Sequence, residues 1–389
     1  MSEPSGTLTL TPKRQRILAL DVFRGLTVAG MLLVNDPGTW GAIYPPLEHA
    51  EWNGWTPTDV IFPFFLFIAG VTTHLSMTAR RAAGADDKAL QRQIIRRGAL
   101  IVLFGLFMAV FPFYPLERIT HLRIPGVLQR IGVAYAIAAL ISLRTTLKQQ
   151  AVIVASILLG YWFVMTLVPV PGAMGGIGAN LNMIPSRTLA AWTDRFLLGG
   201  HLWINSVTWD PEGPLSTIPA IGTAMLGIFA GRWLAEKRPL DERLNGLFAV
   251  GALGMMAGLM WNWSFPINKS LWTSSFVVFT AGMACVSIAA ISWVIDVKGV
   301  TWWTRPVVIY GINPIIAFVG SGLMERMIYT VWKVDFHGVP TPVQAVVYES
   351  VFRPMLAPRN ASLAFAISFV LLWYLILWAL ARKNIIFKV

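Results

Sequence analysis

The sequence predicts an all-α fold, a polytopic membrane helical bundle of about ten transmembrane helices with both termini cytoplasmic. Three observations predict it. Only 13% of the 389 residues are charged while 56% are hydrophobic, whereas soluble domains carry about 25% charged residues. The mean hydropathy is +0.62, carried by long apolar runs that recur along the whole chain. The basic residues concentrate in alternate connections between those runs.

The runs are taken in order. Residues 1–11 are polar and read as a disordered tail. Residues 1–16 are expected as a cytoplasmic tail before a single membrane domain, 17–389. Roughly 20 apolar residues cross the hydrocarbon core. The candidate spans are 17–35, 57–77, 94–112, 124–143, 151–168, 214–234, 244–261, 272–295, 306–324 and 362–381. A shorter stretch, 343–356, would make eleven, as a short, re-entrant or interfacial helix. No small-residue cleavage site follows the first run, so it reads as an uncleaved span. Twenty of the 31 Lys and Arg residues fall in the termini and in one set of connections, and nine in the other set. The positive-inside bias puts the first set in the cytoplasm. Loops 36–56 and 169–213 then lie outside.

The net charge of +12 would raise the question of nucleic acid in a soluble domain. Clustered between apolar runs, it reads as an orientation signal, and no nucleic-acid partner is expected. The single cysteine, Cys285, lies inside a span. An intrachain disulfide and a cysteine-rich metal site are thereby excluded, and no metal is expected.

Polar residues inside spans are expensive and need a reason. Asp21 and Arg24, three apart on the first span, share a face, with Asn35 close to it. They read as a packing pair or as a polar stripe along a cofactor path. Arg123 and Arg130, seven apart, also share a face. A buried guanidinium needs a carboxylate or phosphate partner, so they read as ligand-binding residues or as members of a structural ion pair. Among five histidines, His49 stands out within Glu48-His49-Ala50-Glu51-Trp52-Asn53-Gly54-Trp55. Imidazole can take a proton from an attacking amine. A neighbouring carboxylate, Glu48, Glu51 or Asp59, could fix its tautomer.

Several blocks are long and chemically odd for membrane spans. They are Leu20-Asp21-Val22-Phe23-Arg24-Gly25-Leu26-Thr27 with Val34-Asn35, then His49 through Asp59, then Phe62-Pro63-Phe64-Phe65-Leu66-Phe67-Ile68-Ala69-Gly70. Arg123-Ile124-Pro125-Gly126-Val127-Leu128-Gln129-Arg130, Asp210-Pro211-Glu212-Gly213 and Phe265-Pro266-Ile267-Asn268-Lys269-Ser270-Leu271-Trp272 follow. In this order they resemble the heparan-α-glucosaminide N-acetyltransferase family, in its compact bacterial form. The resemblance implies transfer of an acetyl group from cytoplasmic acetyl-CoA to an amino sugar or oligosaccharide on the outer side. Its active-site histidine falls on His49, its neighbouring asparagine on Asn35 and its aspartate on Asp59.

On this resemblance, Arg24, Arg130, Arg123, Asp21 and Asn313 are expected along the acetyl-CoA path. Glu48, Trp52, Asn53, Asp210, Glu212, Asn268 and Lys269 are expected around the acceptor. The CoA phosphates would meet Arg80, Arg81, Arg96, Arg97, Arg144 or Lys237, since charge-assisted bonds hold phosphates best. The resemblance also implies a homodimer among the lipids of the inner cell membrane. Two further readings share this topology: an O-acyltransferase of an envelope glycan, and a secondary transporter or flippase with Asn313-Pro314 as a helix break.

Overall fold

The computed structural model describes residues 17–114, 117–172 and 184–387. The expected tail, 1–16, and the centre of the 169–213 loop lie outside them. Where the helices begin is set by local chemistry. α1 runs Leu18–Asn35. α2, Ile61–Ala82, is entered through a 3-10 turn at Pro57–Val60. α3, Asp87–Val110, starts where the Asp86 side chain accepts the Ala89 N–H. α4 is Val127–Arg144. α5, Leu147–Leu167, starts at a capping box between Thr146 and Gln149. Such caps satisfy the orphan N–H groups of the first turn. α6 is the short helix Leu189–Leu198. α7, Pro214–Ala235, opens on proline, whose missing N–H is harmless there. α8 is Leu240–Trp261 and α9 Ser274–Ser292. α10, Thr304–Ile312, and α11, Pro314–Arg326, form a broken pair, and α12 is Pro358–Arg382.

Among the described residues nine helices, α1 to α5, α7 to α9 and α12, are long and apolar enough to cross a membrane. The predicted span 306–324 is not straight: α10 and the helix continuing from Pro314 are bent by 78° at Asn313. Pro314 has no N–H to give, and it pushes the residue before it out of the helical region. Asn313 accordingly sits at φ −125, ψ 58. The all-α expectation needs one amendment. Lys333–Phe336 and Val339–Pro342 pair as a two-stranded antiparallel hairpin, Phe336 opposite Val339. The expected short helix at 343–356 is shorter, Val343–Phe352.

α1, α2, α7 and α9 form the centre of the bundle, each more than half buried. α3, α5, α8 and α12 form an outer ring, each less than a third buried. Val250, Leu253, Leu371 and Leu375 on that ring are exposed, as helices facing lipid should be. Lipid gives no hydrophobic drive between helices, so small residues and close backbones hold the centre together. A Cβ on Gly70 of α2 would stand 2.0 Å from the Ala224 carbonyl oxygen of α7. One on Gly227 of α7 would stand 2.1 Å from the Phe67 carbonyl oxygen of α2.

The connections after α1, α3, α5, α8 and α11 meet at one end. The Tyr329 hydroxyl donates to the Pro37 carbonyl over 2.6 Å, and His201 Nδ1 lies 2.8 Å from the Leu122 carbonyl. This end carries His49. The opposite end carries most of the basic residues among those described, with Arg81 on Asp87 and Arg144 on Gln91.

Candidate active site

The site grows from the turn that opens α2. Thr56 and Asp59 form a capping box, which turns the Asp59 carboxylate back over the loop. Asp59 is 1% exposed. Its Oδ2 accepts the Ala50 and Thr56 N–H groups, both over 3.0 Å. The Thr56 hydroxyl donates to the Glu48 carbonyl over 2.6 Å. These bonds curl 48–59 into a tight loop and leave Asp59 Oδ1 facing His49 Nδ1 over 2.7 Å. An ionised carboxylate only accepts, so the proton sits on Nδ1 and Nε2 keeps its lone pair. The His49 side chain is 49% exposed.

A second loop, between α8 and α9, closes on the first. Asn268 is fully buried. Its amide donates to the Trp52 carbonyl over 2.9 Å and to Asn53 Oδ1 over 3.1 Å, and its Oδ1 accepts the Leu271 N–H. The Gly54 N–H donates to the Ile267 carbonyl over 2.7 Å. This clasp holds Lys269 against the histidine. Its Nζ lies 3.1 Å from His49 Nδ1, 3.3 Å from Nε2 and 3.7 Å from Asp59 Oδ1. Burial lowers the Lys269 ammonium below its ordinary range, and Asp59 and Glu212 offset only part of that.

The third component is a cluster of carboxylates and arginines. Arg123 grips Asp210 with two bonds of 2.8 and 2.7 Å and also pairs with Glu212. Burial works against its charge, but Asp210 and Glu212 outweigh it and hold the guanidinium above its ordinary value. Arg130 is 2% exposed. It donates to the Gly213 carbonyl, Ser216 and Thr217 at the start of α7, and its guanidinium lies 5.1 Å from the Trp272 ring centre. Both arginines, expected on the cofactor path, thus stand at the end that carries His49, among carboxylates. Sequence reasoning left Asp194 out of the site. Its Oδ2 accepts the Asp210 N–H over 2.9 Å, and burial together with Asp210 pushes its pKa up to about 7.

The remaining expected residues are dispersed. Glu48 is exposed and joins through its carbonyl only. Trp52 meets Trp209 edge-on at 5.3 Å, and Trp209 meets Trp203 at 6.4 Å. Trp203 also borders a cavity of about 360 Å³ that includes His121, Arg123, Gln129 and Arg326. Asn35, the last residue of α1, is exposed. Among the described residues no hydrogen bond joins it to His49. Its neighbour Asp36 is 2% exposed, and burial plus the nearby Glu325 raise its pKa to about 9. Asp21 and Arg24 pair at 3.3 Å, and Arg24 also donates to the Gly311 carbonyl. Asn313 is 1% exposed; its amide donates to the Ile385 carbonyl and accepts the Phe387 N–H, both over 2.9 Å. The chain's own C-terminal segment therefore satisfies the break in the α10–α11 pair. Among the described residues no group of three or more His, Cys, Asp or Glu could hold a metal ion.

Comparison with known proteins places the chain in a family. The family model described as "Heparan-alpha-glucosaminide N-acetyltransferase, catalytic" matches residues 16–259. The heparan-alpha-glucosaminide N-acetyltransferase of Mus musculus is 32% identical over 366 residues, covering 82% of this chain and 55% of its own length. The one of Homo sapiens is 30% identical over 431 residues, covering 98% of this chain and 61% of its own. The chain therefore spans less than two thirds of the length of these relatives. The matched segment runs from the first span through α8 and includes the His49–Asp59 pair and the Arg123 cluster. The chain belongs to the heparan-alpha-glucosaminide N-acetyltransferase catalytic family.

Proposed function

We propose that the chain is a transmembrane N-acetyltransferase of the inner cell membrane. It moves an acetyl group from cytoplasmic acetyl-CoA to the amine of an amino sugar at the opposite face. The observation that carries this reading is the His49–Asp59 pair at 2.7 Å, on a half-exposed imidazole, in a chain of this family.

Each group has a part that follows from its position. His49 Nε2 takes the proton of the attacking amine. Asp59 holds the imidazole in the right tautomer and stabilises the imidazolium that forms, the part of the third member of a triad. We assign Asn35, on the family resemblance, and the Lys269 ammonium, 3.3 Å from Nε2, to the oxyanion. Trp52, Trp203 and Trp209 offer ring faces to a sugar, and the cavity beside Arg123 is of a size that ligand pockets commonly have. The nucleotide of CoA is too strongly hydrated to cross hydrocarbon. It stays at the basic end, and only the thin thioester arm reaches inward, past Arg24 and Asn313. A second copy of the chain is expected as partner.

The test is acetyl-CoA turnover by purified protein against a panel of amino sugars and their hydroxyl counterparts. Wild type should release CoA and acetylate an amine. His49→Ala should lose roughly 10²–10⁴-fold in rate, the usual worth of a general base, while keeping its thermal unfolding profile. Wild-type rates from His49→Ala would remove the assignment. Transfer to hydroxyl acceptors alone would move the chain to O-acylation.

A further inference from the structure

The residue nearest to His49 from outside its own loop is itself an amine. A general base must lie within about 2.6–3.2 Å of the proton it abstracts, so an acceptor amine has to come up against the imidazole. Lys269 Nζ already stands there, 3.1 and 3.3 Å from the two ring nitrogens. Its position is enforced. Asn268 is bonded to Trp52, Asn53 and Leu271, and Trp272 is held at a positive φ of 50° by the same turn. The Lys269 side chain is 23% exposed, enough for an acyl group to reach Nζ. Lys88 and Lys237, by contrast, are exposed.

We propose that Lys269 is an acetylation site of the enzyme itself, modified at Nζ by the acetyl thioester when no acceptor sugar occupies the site. The inference rests on the transferase reading above. His49 Nε2 takes a proton from the ammonium, and the freed lone pair attacks the thioester carbonyl carbon. The C–N bond forms, the C–S bond breaks, and the CoA thiolate leaves, taking up the proton that His49 held; the second proton that the nitrogen sheds on becoming an amide passes through the freed imidazole to water. The product is an amide, which is too weak an electrophile to pass the acetyl group on. It also deletes the positive charge beside Asp59 and fills the space next to His49. Self-acetylation therefore switches the enzyme off, and an acceptor sugar protects it.

The experiment incubates the full chain in detergent with acetyl-CoA, with and without glucosamine, and maps acetyl groups by peptide mass spectrometry. Without glucosamine, Lys269 should gain one acetyl group well ahead of Lys88 and Lys237. Base assistance is worth roughly 10²–10⁴-fold, so the gap should be at least tenfold. His49→Ala should bring Lys269 down to the level of the exposed lysines. Lys269→Arg should gain no acetyl group in this loop, and wild type preincubated with acetyl-CoA should lose transferase rate in step with the acetylation of Lys269. Acetylated glucosamine with Lys269 no more modified than Lys88 would overturn the proposal and leave the transferase intact. Equal labelling of Lys269 in His49→Ala would also overturn it. If neither glucosamine nor Lys269 is acetylated and no CoA is released, the transferase reading itself falls.

Discussion

At the scale of single residues, the site depends on which carboxylates are ionised. Asp59 is surrounded by donors, whereas Asp194 has one backbone N–H and the unfavourable neighbour Asp210. Its pKa is raised from 3.8 to about 7, so the folded protein holds a proton there that the unfolded chain has already lost. The folded state binds the extra proton between these two values, and stability falls as pH rises through that window. The contribution is complete near pH 4 and gone above about pH 7. Asp194→Asn mimics the protonated form. Its melting temperature should match wild type below about pH 4 and exceed it at about pH 8. A constant difference across that range would mean that Asp194 is ionised throughout. The sequence left Glu48, Glu51 and Asp59 open as the partner of His49, with Asp59 favoured only by the family resemblance; the Thr56–Asp59 capping box is what turns Asp59 onto the imidazole. Lys269 was legible only as a neighbour of the acceptor. Its approach to His49 joins residues 220 apart in sequence, and no local pattern reports that.

At the scale of elements, the close approach of α2 and α7 decides whether the turn carrying Asp59 is held still. Gly70→Ala would place a methyl 2.0 Å from the Ala224 carbonyl oxygen, a backbone atom that cannot swing away. Overpacking of this kind costs about 1–3 kcal/mol, so thermal unfolding in detergent should show a clear drop. Gly160→Ala is the control: nothing lies within 4 Å of the added carbon, and alanine is the better helix former. Equal melting temperatures for the two variants would mean that the helices can part without loss. The spans were legible because a membrane fixes their length. Their ends were less so. α3 begins at Asp87 rather than near 94, because a helix rich in Lys and Arg continues past the hydrocarbon into the headgroups. The hairpin escaped notice because its strands have four residues each. The His337-Gly338 turn, at φ 55° and 81°, was its one local signal, of the kind that favours two-residue hairpin loops.

At the scale of the whole molecule, the proposed chemistry requires that the two ends of the bundle face different compartments. The broken α10–α11 pair keeps the parity of the crossings. It returns the chain to the end that carries His49, where the helix after the hairpin and the start of α12 pack on the first loop: the Gln344 amide donates to the Gly38 carbonyl, and the Gly38 N–H donates to the Ser362 carbonyl over 3.2 Å. Among the described residues the opposite end holds sixteen Lys and Arg, and moving such basic segments across a membrane is unfavourable. The acceptor face should therefore be the one away from the cytoplasm. Cys285 is buried, so an impermeant maleimide reports on introduced thiols. Glu51 and Ala83 are both exposed, beside His49 and at the end of α2 respectively. Glu51→Cys should react in intact cells, and Ala83→Cys only after the membrane is opened. The reverse pattern would put His49 on the side of the acetyl-CoA pool. Transfer would then need no passage through the bundle, and the transmembrane route would be lost while the pairing of His49 with Asp59 stood.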